Sequence, residues 1–437
     1  MTKNSLKRNV GLIALVLYGV GDILGAGVYG LIGKAAGQMG NGIWLAFLVS
    51  MFAAGLTGLT YASLGSRYAK AGGASFITFK AFGHPFLAYL IGMCAFASGL
   101  TSMATASKVF AGYFHGLFET IPTPLIVFVF AMILATIVFI GIRESLIFNA
   151  ICTVIEASGL LFILAVGMPY WGDVNYLNFQ SPSNPTGDFT MSLVLTGAVL
   201  TFYSFIGFED IINVAEEVKD PQKNLPRGIV GAVLISSLIY MGISITAVSV
   251  VPPQLLAESS QPLVEVVKKA APWFPPSAFS IIAMFAVANT AMLNFIMGSR
   301  LIYGMSNQGL LPKVLSHVHG KTQTPHYSIF AILIIFLILA FTGDVSSLAK
   351  ATSILLLICF IVVNLSLIRL KKTDPVPGAF EIPSIIPYAG AGVCFLMLCR
   401  AQQSEIITAG ILIAVIVTVY FFVKPSKQAI EHFEEDV

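Results

Sequence analysis

The run Gly19-Val20-Gly21-Asp22-Ile23-Leu24-Gly25-Ala26-Gly27-Val28-Tyr29 decides how this chain is read. It lies inside an apolar segment extending from Gly11 to about Ala36, long enough to cross a bilayer as a helix. Yet it carries a carboxylate at mid-depth, followed at once by the helix-weakening Gly25-Ala26-Gly27. An intramembrane charge is costly, and each helical glycine costs about 1 kcal/mol relative to alanine, so a binding site is the natural explanation. Glycines free the backbone to unwind. Carbonyls and a half-helix amino terminus then point at whatever occupies the centre, which is how secondary transporters hold small charged solutes.

Composition places the rest of the chain in the bilayer as well. Of 437 residues 57% are hydrophobic and 10% charged, with a mean hydropathy of +0.87, so too little polar sequence remains for a soluble domain. A net charge of +3 gives no reason to expect a nucleic-acid partner; the lipid bilayer is the expected one. Cys94, Cys152, Cys359, Cys394 and Cys399 fall in apolar segments without metal-like spacing and read as small packing residues. Lys3, Lys7 and Arg8 precede the first apolar run as they would in a signal peptide. That run exceeds an h-region of about 7–15 residues, so it is expected to be a retained span.

A window of about 20 residues finds twelve candidate helices, near 11–36, 42–66, 85–114, 123–142, 145–168, 191–216, 227–251, 275–306, 326–342, 348–369, 386–401 and 405–423. With alternating crossings, the groups Lys3/Lys7/Arg8, Arg67/Lys70/Lys80, Arg143, Lys219/Lys223/Arg227, Lys313/Lys321, Arg369/Lys371/Lys372 and Lys424/Lys427 share one side. That side is cytoplasmic, so both termini are expected there, in a multi-pass protein of the cell (inner) membrane. Lys268, Lys269 and Lys350 are the exceptions on the opposite side. Residues 1–423 then form a single transmembrane domain, and 424–437 a cytoplasmic tail.

Span six has an interruption matching the first. Thr201-Phe202-Tyr203-Ser204-Phe205-Ile206-Gly207-Phe208-Glu209-Asp210 is an aromatic-rich run with one glycine followed by two carboxylates. A lone glycine would only permit close helix packing. Two breaks five spans apart, each beside a carboxylate, favour discontinuous helices 1 and 6 in two inverted repeats.

Several stretches resemble the amino acid-polyamine-organocation transporter superfamily. They are Gly25-Ala26-Gly27-Val28-Tyr29, Lys70-Ala71-Gly72-Gly73-Ala74, Phe205-Ile206-Gly207-Phe208-Glu209 with the following Ala215 to Pro226, and Gly309-Leu310-Leu311-Pro312. The turn Gly141-Ile142-Arg143-Glu144-Ser145 and Phe380-Glu381-Ile382-Pro383 resemble its cationic amino acid transporter branch. The ordered set covers most of the chain. It implies an all-α membrane protein of twelve transmembrane helices with a five-plus-five inverted-repeat core like that of the bacterial leucine transporter. Repeat one would span about 11–168, repeat two about 191–369, and two further helices about 386–423. It also implies alternating-access transport of amino acids, neutral or cationic, by a monomer or homodimer that is no enzyme and needs no cofactor beyond a proton gradient, with sodium possible. Uptake or exchange of polyamines or other organic amines is the alternative. An ion or metal transporter on the same fold is a further one, with poor support because the breaks lack suitable ligands, and no metal site is expected.

By the same resemblance the backbone of Ala26, Gly27 and Val28 would hold a substrate carboxylate, as free N–H groups at a helix amino terminus do. The carbonyls of Ile23, Tyr203 and Ile206 would take the substrate ammonium. Tyr203 would be an aromatic gate, and Phe205 and Asn294 would line the side-chain pocket. Two positions depart from the pattern. Glu156 stands where several proton-coupled relatives carry a lysine, and Asp22 where relatives usually have a neutral or amide residue. A carboxyl in mid-helix either stays protonated or pairs with a cation. Glu156 is therefore a candidate proton carrier, with Glu209 a second one after the span-six break. Alternatively Asp22 and Glu156 form a cation site, or Glu156 is permanently protonated and serves packing alone.

Overall fold

Hydrophobic length and local punctuation dictate the helices. The computed structural model describes residues 10–68, 73–140, 142–307, 310–319, 322 and 324–423. Lys3, Lys7, Arg8, Lys70, Lys321 and the tail 424–437 lie outside the described residues, as do the motif positions Ala71, Gly72, Gly141 and Gly309. The first expected span is two helices, α1 (Leu12–Ile23) and α2 (Ala26–Met39), with Leu24 and Gly25 unwound between them. There follow α3 (Ile43–Arg67), α4 (Gly73–Phe82), α5 (Pro85–His115), α6 (Thr123–Ile140) and α7 (Ile142–Gly167). The second break, at Ile206 and Gly207, separates α8 (Met191–Phe202) and the 3-10 turn Tyr203–Phe205 that continues it from a 3-10 segment at Phe208–Glu217. Then come α9 (Pro221–Val250), the short α10 (Pro253–Glu258) and α11 (Pro262–Ala270), α12 (Pro276–Asn307), α13 (His326–Thr342), α14 (Val345–Thr373), α15 (Ile385–Leu398) and α16 (Gln403–Val423).

Prolines sit in the first turn of α5, α9, α10 and α11, where their missing N–H has no intrahelical role. Thr190 caps α8 by accepting from Leu193 N–H at 3.1 Å, and Asp344 caps α14 by accepting from Ser347 N–H at 3.0 Å. Each of the twelve expected segments overlaps a helix, the first and the sixth being interrupted. Among the described residues nine helical segments are long and apolar enough to cross a membrane, the first running Leu12–Arg67 through the break. Two apolar helices, His326–Thr342 and Ile385–Leu398, are shorter.

The interior is knit by polar contacts that water cannot replace in lipid. Asn364 on α14 is fully buried, accepts from Thr60 at 2.6 Å and donates to Thr57 at 3.1 Å and to the Phe360 carbonyl at 2.8 Å. Asn364→Ala should cost about 1–3 kcal/mol, because both threonine hydroxyls lose a partner in the core. The check is the thermal unfolding midpoint in detergent, and an unchanged midpoint would contradict the assignment. Lys350 is no exception to the charge bias of the loops. It is buried six residues into α14 and paired at 2.5 Å with Glu405 of α16, whose other oxygen caps Gln402 N–H at 2.9 Å. At the other end of the helices, buried Arg67 pairs with Glu381 and donates to the Asp374 carbonyl at 3.1 Å, strapping the 374–384 loop across α3.

α5 packs along α12 and α14, α3 along α9, and α1 lies against α7 and α9. The two breaks are thereby brought together at mid-protein. At the opposite end of α1, Lys219 N–H donates to the Val10 carbonyl at 2.9 Å, so the outer ends of the two broken helices are tied as well.

Candidate functional site

Two glycines in the left-handed half of backbone space make the breaks. Gly25 has φ +138° and Gly207 φ +124°, conformations that cost any residue with a Cβ. Each break also uses a missing side chain to let the other approach. A Cβ on Gly27 would overlap the backbone of Ser204, and one on Gly207 would lie 2.7 Å from the carbonyl of Asp22. Beyond Gly207 the chain runs as a 3-10 helix through Glu217, a long stretch for that geometry and one often found at functional hinges.

Between the breaks is a small, partly open cavity with free space for about one water molecule. Asp22, Ile23, Ala26 and Gly27 line it from the first break, and Tyr203, Ile206, Gly207 and Asp210 from the second. Ser102 of α5 and Thr290 and Asn294 of α12 complete the wall. An amino acid needs more room than this, so binding requires the walls to part.

The polar groups around the cavity are largely engaged. Ala26 N–H, at the amino terminus of α2, donates to Thr290 Oγ1 at 3.2 Å, so one of the three amides expected to meet a carboxylate already has an acceptor. The Ile23 carbonyl, expected to receive an ammonium, accepts from the Tyr240 hydroxyl at 2.5 Å. The Tyr203 carbonyl accepts from Ile206 N–H at 3.3 Å. The Tyr203 ring does stand at the cavity, with its hydroxyl 3.0 Å from Ser102 Oγ, which in turn accepts from Asn294 Nδ2 at 3.3 Å. Asn294 also donates to the Thr290 carbonyl at 2.9 Å. Asp22 Oδ2 and Ser204 Oγ are buried without a hydrogen-bond partner.

Two expected residues are placed elsewhere. Phe205, expected in the side-chain pocket, is fully buried against the rings of Phe47 and Tyr240, because the turn at Tyr203–Phe205 directs it into that aromatic cluster. Val28 is also fully buried and off the cavity wall. Glu209 is turned back on its own break, where its carboxylate accepts from Gly207 N–H at 2.9 Å.

Glu156 lies on α7 behind the first break, with no exposed surface and neither carboxyl oxygen hydrogen-bonded. Asn289 of α12 lies beside it without meeting hydrogen-bond geometry, and its Nδ2 reaches the Gly21 carbonyl at 3.5 Å. The nearby tyrosine hydroxyls are committed to carbonyls, Tyr29 to that of Glu156 itself at 2.7 Å and Tyr240 to that of Ile23. Asp22 is within electrostatic reach. Both Glu156 oxygens, Asp22 Oδ2 and Asn289 Oδ1 are thus buried without a hydrogen-bond partner in this part of the core. Such an arrangement suits a proton or another cation.

Sequence reasoning missed Ser102, Thr290, Asp210 and Tyr240. Ser102 belongs to the small polar run Thr101-Ser102-Met103-Ala104-Thr105-Ala106-Ser107, a usable signal for a wall that other helices approach closely. Tyr240 and Thr290 carry no such mark. Among the described residues no three His, Cys, Asp or Glu side chains gather as metal ligands.

The sequence profile described as amino acid permease matches residues 10–432. The chain is 29% identical over 417 residues to the branched-chain amino acid permease BcaP of Bacillus subtilis (strain 168), covering 90% of this chain and 88% of that one. It is 27% identical over 439 residues to the methylthioribose transporter of the same organism, covering 95% and 93%. It is 32% identical over 343 residues to the chloroplastic cationic amino acid transporter 9 of Arabidopsis thaliana, covering 72% of this chain and 58% of the plant protein.

Proposed function

Since the chain belongs to the amino acid permease family, we propose that it carries amino acids, neutral or cationic, across the cell membrane by alternating access and is a transporter rather than an enzyme. The observation that carries this reading is the meeting of two glycine-broken helices around a small cavity, with the amino terminus of α2 and a carboxylate from each break, Asp22 and Asp210, in its wall. The full arrangement is twelve crossings with five-plus-five inverted repeats, α15 and α16 being added to the core and both termini cytoplasmic. The placement of Lys and Arg supports that orientation. Gly27 N–H, with Ala26 N–H once Thr290 turns its hydroxyl away, receives the substrate carboxylate. The Ile23, Tyr203 and Ile206 carbonyls receive the ammonium. Coupling is to a proton at Glu156, where buried oxygens lack donors, with sodium the other cation that would satisfy them.

A second reading, uptake or exchange of polyamines or other organic amines, is favoured by the two carboxylates in the cavity wall. Purified protein in proteoliposomes, offered radiolabelled neutral and cationic amino acids and diamines with and without an inward proton gradient, tests both. Saturable uptake of at least one amino acid, raised by the gradient, is expected. Uptake of amino acids no faster than in empty liposomes would sink the proposal, and uptake of diamines alone would establish the second reading.

A further inference from the structure

The helices fall into two groups with the cavity between them. α1, α3 and the 3-10 segment Phe208–Glu217 all pack against α9, while α12 and α14 both pack against α5. The cavity wall takes Asp22 and Asp210 from the first group and Ser102, Thr290 and Asn294 from the second. Opening the cavity at one end therefore requires one group to move against the other.

The loop from α14 to α15 fastens the two groups together at one end. Glu381, in the Phe380-Glu381-Ile382-Pro383 stretch, pairs through one oxygen with Arg67, the last residue of α3. Its other oxygen lies 3.3 Å from Lys371, near the end of α14, which also donates to the Ile382 carbonyl. The residues on either side of Arg67 hold the same loop. Tyr68 donates its hydroxyl to Asp374 Oδ2 at 2.7 Å, and Ser66 Oγ accepts from Phe380 N–H at 2.8 Å. Ser66 in turn donates to the Gln222 carbonyl at 3.0 Å, in the first turn of α9. Three residues before Gln222, Lys219 N–H holds the Val10 carbonyl just before α1. Glu381 thus joins a cation of the first group to a cation of the second, at the end where the outer parts of the two broken helices meet. The Arg67 side chain is only 2% exposed, so solvent and salt screen this contact less than an ordinary surface pair. We propose that the Arg67–Glu381–Lys371 cluster is a latch that holds the cavity shut toward this face and parts each time the cavity opens to it. This rests on the reading that the chain works by alternating access.

Two measurements test the latch. The first is a covalent lock, Ser66→Cys with Phe380→Cys in a Cys399→Ser background, since the Ser66 side chain already touches the Phe380 backbone and a disulfide is within reach. In proteoliposomes given a radiolabelled mixture of the proteinogenic amino acids, the reduced protein should transport, lose uptake when oxidised with copper phenanthroline, and regain it with dithiothreitol. A protein whose two new thiols no longer label, yet which transports at the reduced rate, would overturn the latch and leave alternating access standing. No uptake by wild type overturns both. Should the double variant fail to transport when reduced, or fail to cross-link, Glu381→Gln decides; its side chain is half exposed, so the variant should fold. Its half-saturation constants are measured in right-side-out and inverted membrane vesicles, from cells with and without the protein. The constant should fall on the face that carries the latch relative to the opposite face, changing their ratio by about threefold or more, because the state open to that face becomes more populated. An unchanged ratio overturns the proposal, for a contact that only supports the fold would lower the unfolding temperature and leave the ratio where it was.

Discussion

Gly27→Ala is expected to abolish transport, although it adds only a methyl group. A Cβ at this position would overlap the Ser204 backbone, and a backbone cannot swing aside as a flexible side chain does. The two broken helices must therefore move apart, which displaces the amide groups of α2 from the cavity and spoils the closed state. Overpacking of this kind costs about 1–3 kcal/mol, so the unfolding temperature should fall along with ligand binding. Gly55→Ala is the control. Its Cβ would meet nothing within 4 Å, and alanine is the better residue in the middle of α3, so wild-type transport and equal or slightly higher stability are expected there. The measurements are uptake in proteoliposomes and thermal stabilisation by substrate, which rises by mass action only if the folded state binds it. Wild-type uptake by Gly27→Ala would remove the apposed breaks from any role in the mechanism.

Glu156→Gln should abolish accumulation driven by a proton gradient while leaving exchange of labelled for unlabelled substrate intact. The side chain sits behind the first break, not on the cavity wall, so substrate contacts survive the change. Glutamine keeps the shape and replaces a buried carboxyl whose oxygens have no hydrogen-bond partner with a neutral amide, so folding should survive too, and stability should be equal or higher. What disappears is a group able to hold a proton when occluded and release it when water reaches it, which is what ties protonation to the direction in which the core is open. Uptake is to be measured at several external pH values, in wild type and variant side by side, with a parallel series in which sodium replaces the proton gradient. Uphill uptake by Glu156→Gln with an unchanged pH profile would exclude Glu156 as the coupling site. Glu209, now seen capping Gly207, would be tested next.

The helices were legible because membrane burial is a one-dimensional demand. A span needs a stretch of apolar residues, whatever lies elsewhere in the chain, and α5, α9, α12 and α14 stand where those stretches are. The breaks were legible for the same local reason. Gly25 and Gly207 take backbone angles that only glycine holds cheaply, and they stand out from apolar surroundings. Asp22, Tyr203 and Asn294 were placed at the cavity from that local signal and the resemblance built on it.

Only the tertiary structure decided which side chains share the cavity and which leave it. Once a helix is interrupted, its 3.6-residue period no longer says where the next side chain points, because the angles at one unwound residue re-aim everything after it. So Phe205 turns into an aromatic cluster, Glu209 folds back on its own backbone, and Asp210, one residue on, lines the cavity. The partners of the first break come from residues remote in sequence: Thr290 on the Ala26 amide, Tyr240 on the Ile23 carbonyl and Ser204 beneath Gly27. No local pattern encodes such contacts. They exist because packing α1 and α2 against α7, α9 and α12 leaves each buried polar group to find whatever acceptor or donor the neighbouring helix presents, and in the absence of water the cost of finding none is high.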